Sequence, residues 1–211
     1  EGEGEGEGEG EGEGEGEGEG EGEGEIEPWV PAACATKPDL SGDGVEDPQT
    51  PPEVSLEQDS EGVWVVTTEH YVLRAPVDEN EAIALGRLLE AAWPEFIEYF
   101  GGEEPKLFNE LIGEGEPLIV NIYATEEEFH EKTITTHGGP PSGGGYFNPQ
   151  TMIASMKLQP SIYYTRSLML HEAGHQFHNI SGSSFAPFWY GEGLAEFLQL
   201  FDFDGIKKLS F

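Results

Sequence analysis

Residues 171–197 read HEAGHQFHNISGSSFAPFWYGEGLAEF. His171 and His175 stand four apart, with Glu172 beside the first, and Glu192 and Glu196 stand four apart downstream. On a helix a step of four puts two side chains on one face, one turn apart. The stretch therefore predicts two helices, each aiming a pair of polar groups from a single face. The apolar SLML at 167–170 precedes the histidines. The first helix is thus expected to be buried, where two solvated histidines on a surface helix would be the plainer alternative. Gly174 keeps one point of that helix clear for close packing.

The chemistry needs this spacing. Two imidazoles one turn apart can meet a single zinc at roughly 2.0–2.1 Å. Glu172 lies about 100° around the helix, where it reaches a zinc-bound water as general base instead of the metal itself. Glu192 can supply a third ligand. Glu196, one turn on, is placed to accept a hydrogen bond from the far nitrogen of a ligating histidine, with His171 as the expected donor. Two histidines and a glutamate leave a fourth position open, the pattern of a catalytic site and not a closed structural one. An oxyanion donor is also needed. Tyr190, which is close in sequence to Glu192, His178, Tyr163 and Tyr164 are the candidates, with a donor from beyond Phe211 as the equal alternative.

These residues resemble the gluzincin metallopeptidases of the peptidase MA-like superfamily. There HExxH is followed by a W-x-x-E-G-x-A-E-[YF] segment, matched here by Trp189, Glu192, Gly193, Ala195, Glu196 and Phe197. The resemblance is tight over 168–198, looser over 62–160 and absent from 1–60. It implies a zincin-like metalloprotease domain, zinc held by His171, His175 and Glu192, and hydrolysis of peptide or protein substrates. It also implies a secreted or cell-envelope location. In zincins an edge strand beside the active helix pairs with extended substrate, and TMIASM at 151–156 is the expected counterpart.

Working outward, the fold class is α+β: a small mixed sheet, an active-site helix and a following helical part. GVWVVTTEHYVLRAP (62–76) has the Val, Trp and Tyr content of a strand or hairpin. DENEAIALGRLLEAAWPEFIEYFG (78–101) repeats apolar residues at three and four, an amphipathic helix with Pro94 marking a kink or join. EPLIVNIYAT (116–125) is a buried strand. EEEFHEKTI (126–134) is a short helix capped by Thr125. YFNPQTMIASM is strand, turn at Asn148-Pro149, strand, after a glycine- and proline-rich loop. Helices follow at 161–181, starting near Ser161, and at 189–201, after Pro187.

Residues 1–60 are another regime. They hold 21 acidic residues and one lysine, and residues 1–25 are strict Glu-Gly alternation, within a chain of 211 residues and net charge −34. Like charges at every second position, with glycine between, cannot repay the entropy of ordering. This is expected to be a disordered acidic tract and a Pro/Asp-rich linker, ahead of one domain over 61–211. The charge disfavours nucleic acid, no run is long and apolar enough to span a membrane, and a monomer is expected. Within the linker, DLSGDGVED places Asp39, Ser41, Asp43 and Asp47 at positions 1, 3, 5 and 9 of a calcium loop, with Gly44 at the turn. It resembles thrombospondin type 3 repeats and, more loosely, an EF-hand. Thr50 stands where the bidentate Glu would be, so Ca2+ is a second cofactor candidate and an Asx-turn the alternative. Cys34, the single cysteine, faintly resembles the cysteine switch that caps zinc in matrix metalloproteases. Against the peptidase stands a non-catalytic metal-bearing surface or binding domain of zincin fold.

Overall fold

A computed structural model of the chain describes residues 51–100, 102–182, 187–203 and 209–210. The Glu-Gly tract, Cys34 and the calcium-loop residues Asp39, Ser41, Asp43 and Asp47 lie outside the described residues. All those described fall in one unit, Glu46–Phe211.

Six strands form one mixed sheet in the order β1-β2-β3-β4-β6-β5. The expected hairpin at 62–76 is β2 (Trp64–Thr67) and β3 (Tyr71–Ala75), antiparallel, with Val66 opposite Leu73. β1 (Ser55–Gln58) adds to its outer edge. The linker expected to run to residue 60 therefore gives way to a strand at its end. Leu56 is the one apolar residue of this strand and three of its four residues are exposed, so a strand at the sheet margin leaves almost no hydrophobic signal.

In β3, Tyr71, Leu73 and Ala75 point inward at period two. α1 (Glu79–Tyr99) covers them with Ala82, Leu85, Leu89, Ala92 and Phe96, all fully buried. Asp78 caps the helix, its Oδ1 accepting from Glu81 N at 3.1 Å. Pro94 lies inside one continuous helix; the burial of Trp93 and Phe96 on either side of it holds the two turns in line. α1 approaches the sheet at Gly86, where a Cβ would stand 2.5 Å from Val66 Cγ1.

A short helix not expected from the sequence, α2 (Phe108–Leu111), leads to β4 (Leu118–Tyr123), which pairs parallel with β3. α3 (Glu126–Lys132) follows, with Thr125 Oγ1 accepting from Glu128 N at 3.1 Å, the expected cap. β5 (Gly145–Asn148) and β6 (Ile153–Lys157) then form an antiparallel hairpin through the expected Asn148-Pro149 turn. β6 inserts beside β4, parallel to it, and leaves β5 as the sheet margin. The expectation that 151–156 forms the edge strand is thus corrected. Ala154, Ser155 and Met156 are buried because β6 has a neighbour on each side, and the edge is GYFN.

α4 (Ile162–Ile180) starts from Ser161, whose Oγ accepts from Tyr164 N at 3.4 Å. Its buried side includes Met169, Leu170, Ala173, Phe177 and Ile180. Arg166 forks onto Glu81 in α1 with bonds of 2.9 and 2.8 Å. α5 (Phe188–Leu198) crosses α4 at Gly174, where a Cβ would stand 3.2 Å from Leu198 Cδ1. A two-residue pair, β7 (Asp202–Phe203) with β8 (Leu209–Ser210), ends the chain's described part. Among the described residues no helix is long and apolar enough to cross a membrane.

Candidate metal centre

Three side chains converge where α5 crosses α4. His171 and His175 lie one turn apart on α4, with their Nε2 atoms 3.2 Å apart. Glu192, from the second turn of α5, reaches both: Oε2 lies 3.6 Å from His171 Nε2 and Oε1 lies 3.5 Å from His175 Nε2. A tetrahedral ion bound at roughly 2.1 Å would space its ligands about 3.4 Å apart, so the three separations match one ion held between them. Among the described residues this is the one trio of His, Cys, Asp or Glu groups close enough to hold a metal. Gly174 lets the two helices pack closely at this crossing: a Cβ there would stand 3.2 Å from Leu198 Cδ1, and that side chain would have to give by a few tenths of an ångström.

Burial prepares both imidazoles. Desolvation holds His171 below the usual histidine range, although the charges of Glu192 and Glu196 and the Glu192 hydrogen bond act against it. His175 falls to about 4, through desolvation first and then the neighbouring His171 and His178. Neutral imidazole is the ligating form, so no proton need leave either ring at neutral pH.

Glu172 stands outside the trio and is 5% exposed. It lies beneath the margin of β5. The backbone N–H of Phe147 faces its carboxylate and favours the ionised form. A Cβ on Gly145 would come within 2.9 Å of its Cδ and 3.0 Å of its Cγ. Glycine at 145 is therefore what lets the strand and the carboxylate occupy the same place. Desolvation, with a smaller push from the Glu192 charge, raises the Glu172 carboxyl to about 8 against the pull of the Phe147 N–H.

The outward face of β5 follows from its pairing. Lys157 N donates to Gly144 O, and Met152 N to Asn148 O. In an antiparallel ladder the bonding residues alternate, so Gly145 and Phe147 turn their backbone groups away from β6. Phe147 N–H faces Glu172, which leaves Gly145 N–H and two carbonyls facing outward.

A cleft of about 540 Å³ opens over the trio. Its floor is His171, Glu172, His175 and Glu192; Gly145, Tyr146 and Phe147 line it from β5, and Pro187, Phe188 and Gly191 from the start of α5. Of the four donor candidates only His178 lines it. Tyr190 is 47% exposed, its ring 6.2 Å from that of His178. Tyr163 and Tyr164 belong to the first turn of α4, exposed, Tyr163 stacked on Phe201. Glu196 is exposed and accepts a hydrogen bond from Gln199 Nε2; it acts on His171 through its charge. Sequence reasoning missed Gly145, Phe147 and Phe188. The signal available for the first two was the glycine run at 143–145 immediately before two aromatics.

Comparison with known proteins returns no match: no family model, no curated protein and no solved structure is similar to the chain.

Proposed function

We propose that the chain is a zinc-dependent peptidase. The observation that carries this is the pairing of a three-ligand metal site with a buried carboxylate that stands beside it and outside the ligand set. Zinc bound by His171, His175 and Glu192 would supply Lewis acidity, polarising the scissile carbonyl and acidifying a water. The trio uses nitrogen and carboxylate oxygen, the donor set of catalytic zinc. A cation held beside Glu172 would favour its ionised form against the desolvation that raises it in the metal-free chain, and the carboxylate would take the proton of the attacking water as the water oxygen bonds to the carbonyl carbon. When the C–N bond breaks, Glu172 delivers that proton to the leaving nitrogen. β5 supports a peptide as substrate, because Gly145 and Phe147 present backbone groups that an extended chain can pair with.

The test is turnover of an unfolded protein and a peptide library, with and without a chelator, by the wild type and by E172Q. Chelator-sensitive cleavage that E172Q lacks while retaining its zinc is the expected result. Equal cleavage by both proteins removes Glu172 from the chemistry. The second reading, a metal-bearing binding domain without turnover, draws on two observations: Glu196 bonds Gln199 and Tyr190 stands outside the cleft, so neither takes the role expected of it. It is favoured if zinc binds and no substrate is cut.

A further inference from the structure

Gln176 follows His175 on α4 and is fully buried. Its amide nitrogen donates two hydrogen bonds of 2.9 Å, one to Ile119 O in β4 and one to Met152 O in the turn between β5 and β6. Its own Oε1 is buried with no hydrogen-bond partner among the described residues. An unmet buried acceptor costs about 1–3 kcal/mol. Packing alone would be served better by an apolar side chain of this size, so the amide is present for its two donors.

The Met152 end is the informative one. Met152 has φ of 59°, the one non-glycine residue in the left-handed region among those described, and its side chain is buried. That conformation costs about 1–2 kcal/mol for an L-residue. The turn is tied at the other side by Asn148, whose Oδ1 accepts from Gln150 N at 2.9 Å. The same hairpin carries Gly145 and Phe147, the two residues of β5 that face Glu172. Helix and hairpin thus meet at two places along α4, Glu172 against β5 and Gln176 against the turn.

We infer that Gln176 is a positioning residue: it holds the β5–β6 hairpin at the depth where Phe147 N–H meets the Glu172 carboxylate. This rests on the hydrolytic reading for its effect on rate, though not for its effect on structure. Without the clamp, the turn relaxes from its strained conformation, β5 lifts, and Glu172 loses the strand that confines it at Gly145. The metal ligands are untouched, because none of them contacts the hairpin through Gln176.

The experiment uses Gln176→Met, which has similar length and no donors, in the full chain. It should keep one zinc and its helical content. Turnover number should fall at least about tenfold, as a displacement near 1 Å can cost ~100-fold, with KM within about twofold of wild type. Amide hydrogen exchange at Phe147 should quicken about tenfold while Val120, in the centre of the sheet, stays protected. Turnover and Phe147 exchange both within about twofold of wild type overturn the inference. So does a loosening spread evenly over the sheet, which would make Gln176 a general stabiliser. If Gln176→Met does not fold, Gln176→Asn keeps a polar amide that is one methylene too short, and the same readings apply; its failure to fold also overturns the inference. If the wild type shows no chelator-sensitive turnover, the hydrolytic reading falls and the exchange at Phe147 alone decides the clamp.

Discussion

Replacing Gly145 with alanine puts a methyl group in place of a hydrogen at the point where β5 and Glu172 are closest. The new Cβ would lie 2.9 Å from Glu172 Cδ and 3.0 Å from Cγ, and nearer still to Oε1. Ordinary carbon contacts begin near 3.5 Å, so something must move by about half an ångström or more. Glu172 is 5% exposed and has little freedom to swing away. Overpacking of this kind costs about 1–3 kcal/mol. Gly145 does not occupy the left-handed region, so alanine returns about 0.4–1 kcal/mol by restricting the unfolded chain. The net is a loss of about 0–2.5 kcal/mol in urea unfolding. The effect on rate should be larger, because the group displaced is the proposed base: about 100-fold in kcat/KM for a displacement near 1 Å, with zinc retained. Gly193 is the control. It lies in α5 with nothing within 4 Å of an added Cβ, so G193A should keep full activity and gain about 0.5–1 kcal/mol from helix propensity. Full activity and undiminished stability in G145A would refute the reasoning that places Glu172 against β5.

Three further outcomes follow from the same structure. In the metal-free chain, the Glu172 carboxyl sits near 8 against an ordinary 4.5. The native state then holds a proton that the unfolded chain has released, so stability falls as pH rises between those values and levels above 8. His175, near 4 against 6.5, gives the opposite slope, complete by 6.5; urea unfolding between pH 6.5 and 8 therefore isolates Glu172, and E172Q should flatten that window. G86A, whose Cβ would stand 2.5 Å from buried Val66 Cγ1, should lose about 1–3 kcal/mol by overpacking with zinc content unchanged. If the loop at 39–47 binds calcium, titration calorimetry should give micromolar to millimolar affinity, about 10⁻⁶–10⁻³ M, lost in D43A; no heat at those concentrations leaves it an acidic turn.

Much of the centre is local chemistry and therefore legible. His171 and His175 are fixed by helical period alone, and the caps at Asp78, Thr125 and Ser161 act within three residues of themselves. Gly174 was readable as a packing point, since a glycine in an apolar helix seldom serves another end. What local pattern does not carry is which strand stands beside which. The zincin resemblance casts TMIASM as the edge strand. It lies between β4 and β5 because a parallel crossover brings β4 to its other side, a pairing set by residues more than thirty positions away. GYFN is half-buried throughout, and its Tyr-Phe pair marks it as a strand, but nothing local says that it is the sheet margin or that Gly145 lies against Glu172. β1 disappears into the linker because Leu56 is its one apolar residue. Glu196 shows the limit of spacing arguments on a surface helix. One turn past Glu192 places it on the right side of α5, but the helix turns its carboxylate toward Gln199 and solvent.

The most direct test of the metal centre is zinc K-edge X-ray absorption on the full chain purified without added metal, with stoichiometry measured on the same sample. One zinc per chain, with four nitrogen or oxygen scatterers at roughly 2.0–2.1 Å of which two carry the outer-shell signature of imidazole, is the predicted spectrum. The H171A/H175A double variant should hold none. A sulfur scatterer at roughly 2.3 Å would bring Cys34 into the shell in place of an open position. Full zinc occupancy in the double variant would contradict the assignment of His171, His175 and Glu192.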